Sequence, residues 1–224
     1  MNISGSINLV SVNCGLPRQV PWHGRTVTTA IYKEPVKGRV ALRLLNLDGD
    51  RQADLSVHGG VSKAVYCYPI AHYEYWKAEL PGRELPIGSF GENFTVEGLV
   101  EDSVHIGDRF AVGSSEVVVT QPRLPCYKLG LRFESDEMVK RFLASRRTGF
   151  YLAVIREGNV GAGDQMVMIG REPSSVPLPW ITRLYVTKKY SREDIADVQR
   201  VLTAPALPDN WKEYFHERLA LVSA

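Results

Sequence analysis

The chain has little cysteine, with only Cys14, Cys67 and Cys126 in 224 residues. An odd number at wide spacings suits neither a disulfide framework nor a paired-cysteine zinc site, and it points to a reducing compartment. An excess of charge of one sign is also missing. With 27 Lys and Arg against 25 Asp and Glu, the formal net charge is +2. Such a balance sets up no overall field that would call for a nucleic-acid polymer or an anionic membrane as partner, so any basic site must be local. No apolar run reaches the roughly 18 residues of a membrane-crossing helix. Met1 to Ser6 lacks the charged start and apolar stretch of an export signal. The expectation is a soluble cytoplasmic protein, long enough to bury a core without covalent staples.

From Ile7 to about Gly170, short stretches of β-branched and aromatic residues alternate with glycine, proline and aspartate. This is the texture of many short strands joined by turns. Strands are predicted over 7–12, 26–32, 36–44, 64–68, 94–97, 109–112, 116–121, 151–156 and 165–169, a spacing that suggests a sandwich or a partly closed barrel. Two helices interrupt them. One spans 70–80 and is stopped by Pro81-Gly82; the other spans 136–147, with Ser135 as N-cap and Gly149 just past its end. Both are expected to cover the barrel ends.

After Gly170 the pattern changes. The stretch 171–180 is rich in proline, is expected to hold no regular helix and marks a boundary. Beyond it, Ser191 and Asp194 open a segment with Ile195, Val198 and Leu202 on one face. A second segment, 210–222, sets Trp211, Phe215, Leu219 and Val222 at helical intervals. These stripes are read as packing faces. The fold class is therefore mainly β over residues 1–170, a barrel-like unit with flanking helices, plus a small α-helical domain over 171–224.

The segment richest in chemistry is Thr120-Gln-Pro-Arg-Leu-Pro-Cys126-Tyr-Lys128. Its cysteine follows two prolines at the end of an apolar strand and lies between Arg123 and Lys128. Nearby cations favour thiolate, the form that binds metal or attacks an electrophile, so Cys126 is the reactive candidate. Cys67 alternates with tyrosines in a strand and Cys14 sits in a turn without flanking charge; both read as structural. A second segment places His58 before Gly59, Gly60 and Lys63. Paired glycines let backbone amides approach an anion and the lysine adds charge, although an ordinary hairpin loop has the same composition. A third, Gly91-Glu92-Asn93-Phe-Thr95, sets glycine turns around an acid and an amide that both donates and accepts.

Together, His58-Gly59-Gly60 with Lys63, Gly91 to Thr95, Ile106-Gly-Asp108 and Thr120 to Lys128 are similar in order and spacing to MOSC domains of the YiiM type. The resemblance covers about residues 25–170, and the 171–224 tail looks like the three-helix domain that YiiM-like members carry. It implies a β-barrel MOSC fold binding the molybdenum cofactor, Mo-molybdopterin, with Cys126 as catalytic residue and molybdenum ligand. His58, Gly59, Gly60, Lys63, Asn93, Arg123 and Lys128 are the implied cofactor-binding residues, the cations as partners for the cofactor's phosphate.

YiiM-like proteins resemble enzymes that reduce N-hydroxylated compounds, such as hydroxylamino-purines, to amines. The resemblance therefore implies such a reductase. The chain has no Gly-x-Gly-x-x-Gly fingerprint and no cysteine cluster for an iron–sulfur centre, so an external reductase is expected to donate the electrons. The alternative is a molybdopterin or sulfur carrier with a persulfide on Cys126; a binding module for nucleotide or phosphate is a third reading. MOSC domains also accompany pyridoxal-phosphate sulfurases, but this chain has no separate domain for pyridoxal phosphate. A homodimer stays open.

Overall fold

The computed structural model describes residues 5–53 and 59–223. Twelve strands are formed: β1 (Ile7–Cys14), β2 (Arg18–Trp22), β3 (Arg25–Thr29), β4 (Glu34–Pro35), β5 (Arg39–Leu42), β6 (Val65–Pro69), β7 (Phe94–Glu97), β8 (Arg109–Val112), β9 (Ser115–Pro122), β10 (Phe150–Arg156), β11 (Gly158–Gly161) and β12 (Gln165–Gly170). The helices are α1 (Ala71–Glu79), α2 (Tyr127–Phe133), α3 (Glu137–Ser145), α4 (Leu178–Val186), α5 (Arg192–Leu202) and α6 (Asp209–Ser223).

Strands β12, β8, β9, β10, β6, β7 and β1 follow one another in a sheet that closes on itself through β1–β12 pairing, and β4 adds to β1. Closure leaves no unpaired sheet edge within this ring, so its backbone polar groups are satisfied in pairs. The β6–β7 pair is parallel. Here the chain crosses between strands through α1 instead of turning back in a tight hairpin.

Period-two alternation explains two separate apolar layers. In β6, Val65 and Cys67 enter the barrel interior, whereas Tyr66 and Tyr68 face outward into a second cluster with Tyr73, Trp76, Phe90, Phe133 and Phe142. That outer layer is covered by α1, α2 and α3. Trp76 donates its indole N–H to the Tyr68 hydroxyl at 2.8 Å, so the buried polar atom does not go unmatched. Truncating one of these rings to alanine costs about 3–5 kcal/mol in a comparable core.

Several sequence expectations need correcting. The 26–32 strand ends at Thr29 and pairs with Arg18–Trp22 as a separate hairpin, whose turn residues His23 (φ 48) and Gly24 (φ 72) adopt the left-handed pair of a two-residue turn. The 36–44 strand is reduced to Arg39–Leu42, pairing with β11. Helix α2 was not anticipated, because Gly130 sits in its middle; a Cβ there would lie 3.0 Å from the Ser135 carbonyl oxygen, so close packing explains the glycine. Helix α3 has no side-chain cap from Ser135 and ends with Arg146 in the left-handed conformation ahead of Gly149. Helix α4 begins inside the proline-rich stretch, since Pro179 falls in its first turn, where the missing N–H would have had no helical partner.

The helical tail behaves as read: Ser191 and Asp194 exchange hydrogen bonds with each other's backbone N–H, at 3.1 and 2.9 Å. Its apolar face, including Val198, Trp211 and Phe215, is continuous with the barrel interior. Arg171 clamps Asp108 with two contacts of 2.6 Å, just before the chain enters α4.

Candidate functional site

A cleft of about 100 Å³ opens where β6, β10 and the segment after β9 meet the 29–33 and 50–53 segments. Gly59, Lys63, Asn93, Arg123, Cys126 and Lys128 all line it. Gly60 does not; it takes φ 84 and its carbonyl accepts from Lys63 N at 3.0 Å, shaping the turn that presents the lysine. His58 lies outside the described residues.

Cys126 is the partly exposed cysteine, whereas Cys14 and Cys67 are buried. It occupies the N-cap of α2 at the end of the Pro122–Pro125 approach from β9. Burial pushes the Cys14 thiol up to about 11, with Asp50 adding to the rise. Burial raises Cys67 well above the ordinary thiol range, with Glu101 and Glu92 contributing. Neither buried sulfur is poised to ionise.

Arg123 is 5% exposed and its guanidinium lies between two rings, 4.9 Å from the centroid of Tyr66 and 5.0 Å from that of Phe142. Burial opposes its charge, while Tyr66, Tyr151 and Cys126 favour it. Its Nη1 is closed off from solvent and has no acceptor among the described residues. A buried cation without a matching anion is costly unless a ligand supplies one. Its backbone is fixed as well: Arg123 N donates to Gly149 O at 3.1 Å, and Gly149 N donates to Glu101 at 2.6 Å. Gly149 has φ 67, and a Cβ there would come within 2.4 Å of the Cys67 carbonyl oxygen, so no other residue fits the position unstrained.

Lys63 is partly buried, and burial lowers its pKa; an anion bound beside it would favour the charged form again. Lys33 is spent on Asp50, an ion pair with both side chains nearly closed off from water. Asn93 lines the cleft, but its amide donates to Asn13 O at 3.2 Å and Asp50 Oδ2 at 2.9 Å, and its oxygen accepts from Tyr66 N at 3.1 Å. Both amide protons are thus committed to holding the wall. Glu92 is likewise internal. It is fully buried and accepts from Tyr73 Oη, Gly88 N, Phe90 N and Thr95 Oγ1, which fixes the 88–95 turn.

The sequence reading missed Asp50, Arg51, Tyr66 and Tyr151 as lining residues. Tyr66 had a usable signal, because period-two alternation places it on the face opposite Cys67. Asp50 and Arg51 come from a loop more than 70 residues from Cys126 and carry no such pattern. Among the described residues that line the cleft, Lys33, Arg51, Lys63, Arg123 and Lys128 accompany one carboxylate, Asp50. Among the described residues no cluster of three or more His, Cys, Asp or Glu could hold a metal ion. A cysteine sulfur beside these basic groups fits an anionic, sulfur-bearing cofactor.

Comparison with known proteins shows the family. Residues 54–167 match the MOSC domain, a domain associated with molybdenum-cofactor binding, and residues 190–221 match the YiiM-like, 3-alpha helix domain. The chain is 36% identical over 211 residues to YflK of Bacillus subtilis, covering 94% of each. It is 34% identical over 192 residues to YiiM of Escherichia coli, covering 85% of this chain and 84% of that protein. A protein of Gibberella moniliformis called Reductase is 32% identical over 184 residues, which make up 30% of its length. The crystal structure of YiiM from Geobacillus stearothermophilus superposes with a TM-score of 0.78 at 32% identity, covering 95% of this chain and 99% of that one. The chain belongs to the MOSC-domain family, in the YiiM-like group that carries a C-terminal three-helix domain.

Proposed function

We propose that this MOSC protein is a molybdenum-cofactor-binding oxidoreductase that reduces N-hydroxylated compounds, hydroxylamino-purines among them, with Cys126 as the molybdenum ligand. The observation that carries this reading is the buried Arg123, whose Nη1 has no acceptor among the described residues, beside the partly exposed Cys126 in one cation-lined cleft. The MOSC match and the relative named Reductase support an enzyme of this class.

When bound, the cofactor supplies two-electron oxygen-abstraction chemistry. The chain's own residues do the rest. Cys126 Sγ anchors the metal end, and Arg123, Lys63 and Lys128 hold the cofactor's anionic groups. Asn93 and Gly59 complete the wall. Tyr151 keeps the proton on its Oη, since burial raises its pKa against the lowering effect of Arg123. It offers a neutral donor and, with Tyr66 at 5.5 Å between ring centroids, an aromatic wall for a planar base. The net reaction consumes the hydroxylamine, two electrons and two protons and yields the amine and water. The electrons come from a separate reductase protein.

The test is turnover of a hydroxylamino-purine by cofactor-loaded protein with an artificial electron donor, in wild type and Cys126→Ser. Turnover that disappears with the sulfur upholds the reading; turnover retained by the serine variant overturns it. Bound pterin without turnover in either would leave the persulfide-carrier role of Cys126 instead.

A further inference from the structure

A group of arginines at the rim of the cleft takes no part in the arrangement described so far. Arg18, exposed on β2, lays its guanidinium over the Tyr32 ring at 3.4 Å from the centroid, and Arg132 on α2 reaches the same ring at 4.8 Å. Arg83 stacks 5.2 Å from the Phe133 centroid and donates to the Phe133 carbonyl at 2.5 Å. Among the described residues, none of the three forms an ion pair. The nearby Asp136 carboxylate is engaged by His23 at 3.1 Å.

Gathering like charges costs free energy unless something offsets it. Burial lowers the Arg132 pKa; Tyr32 opposes that, and Arg83 and Arg18 lower it further. Arg132 Nε is shut off from solvent without an acceptor. The Tyr32 ring contacts both guanidiniums but carries no carboxylate to match their charge. Position matters as much as charge. Ile31 and Lys33, on either side of Tyr32, both line the cleft, as does Lys128. Arg132 follows Lys128 by one helical turn, roughly 6 Å further along α2.

We infer that Arg18, Arg83 and Arg132 form a phosphate-ester subsite, which receives the phosphate of a ligand whose other end lies in the cleft. Guanidinium groups suit this role because their planar forks match phosphate oxygens. The inference rests on the proposed function only in taking the cleft as the place where the ligand lies. The phosphate has two conceivable sources, a nucleotide form of the N-hydroxylated substrate or a phosphate carried by the pterin cofactor.

Titration calorimetry at low salt on the full chain without cofactor tests the subsite without any redox step. The probes are AMP, adenosine and inorganic pyrophosphate, against wild type, Arg18→Gln, Arg132→Gln and Arg39→Gln, whose native guanidinium is held by Asp164. The expected result is that AMP and pyrophosphate bind and adenosine binds at least tenfold more weakly than AMP. Arg18→Gln and Arg132→Gln should each weaken AMP about tenfold while Arg39→Gln does not. Arg18 is exposed, so its variant keeps the test valid even if Arg132→Gln lowers the melting temperature. AMP binding no tighter than adenosine, or equal losses in Arg18→Gln and Arg39→Gln, overturns the inference. Repeating the titration on cofactor-loaded protein separates the sources: retained AMP binding assigns the subsite to substrate, and blocked binding assigns it to the cofactor's phosphate. Failure of turnover with AMP binding intact would count against the proposed reductase and not against the subsite.

Discussion

Trp211 in the last helix donates its indole N–H to the side-chain oxygen of Gln121 at 2.7 Å. Gln121 is the last residue but one of β9, five residues before Cys126, and its amide nitrogen approaches Ser62, the neighbour of Lys63, at 3.4 Å. The helical tail is thereby connected to two sides of the cleft. Trp211→Phe leaves a buried acceptor unmatched and is expected to cost about 1–3 kcal/mol. Chemical denaturation should show that loss. An unchanged midpoint would mean that water replaces the indole and the connection contributes nothing.

Native cysteine reactivity should be confined to one residue. Cys14, with its thiol pushed up to about 11, is ionised to roughly one part in a thousand at pH 8. Cys67 is fully buried. Brief treatment of folded protein with iodoacetamide at pH 8 is expected to label Cys126 and to leave the other two unmodified, as read by peptide mass spectrometry. Labelling of Cys14 should grow as pH rises towards 11. Equal labelling of all three cysteines at pH 8 would contradict the burial argument.

Lys63 gives the site a pH dependence. Because burial lowers its pKa, it loses its proton at a lower pH than an ordinary lysine does. Anion binding favours the charged form, so retention of the anionic cofactor should fall as pH rises through that lowered value. The same shift makes the unliganded fold more stable at high pH, since the folded state binds this proton less tightly than the unfolded chain. Dialysing loaded protein at increasing pH and measuring the pterin retained tests the sign. Lys63→Met should bind less at neutral pH and show a flatter profile; a profile as steep as that of wild type would remove Lys63 from the site.

The barrel was legible because its strands alternate. In β1 and β9 the inward positions are aliphatic, and turns of glycine and aspartate separate the runs. The tail was legible because Ser191 and Asp194 make a local capping box that needs no tertiary information. Helix α2 was not, since only the close approach of the Ser135 backbone explains Gly130 inside it. In the cleft, Cys126, Arg123 and Lys128 stand together in sequence and could be read as a unit. Asp50 and Tyr151 reach the same place through barrel closure, a long-range property that no local window contains. Asn93 shows the opposite limit. Its residue type suggested ligand binding, but its hydrogen bonds to Asn13, Asp50 and Tyr66 commit both amide protons to the wall.

The most direct test of the central claim is molybdenum and pterin content of protein produced in a cofactor-competent, molybdenum-replete host, comparing wild type, Cys126→Ser and Cys14→Ser. The account predicts one molybdenum and one pterin per chain in wild type and Cys14→Ser, with the metal lost from Cys126→Ser. Full metal content in Cys126→Ser, or neither metal nor pterin in wild type, would contradict it.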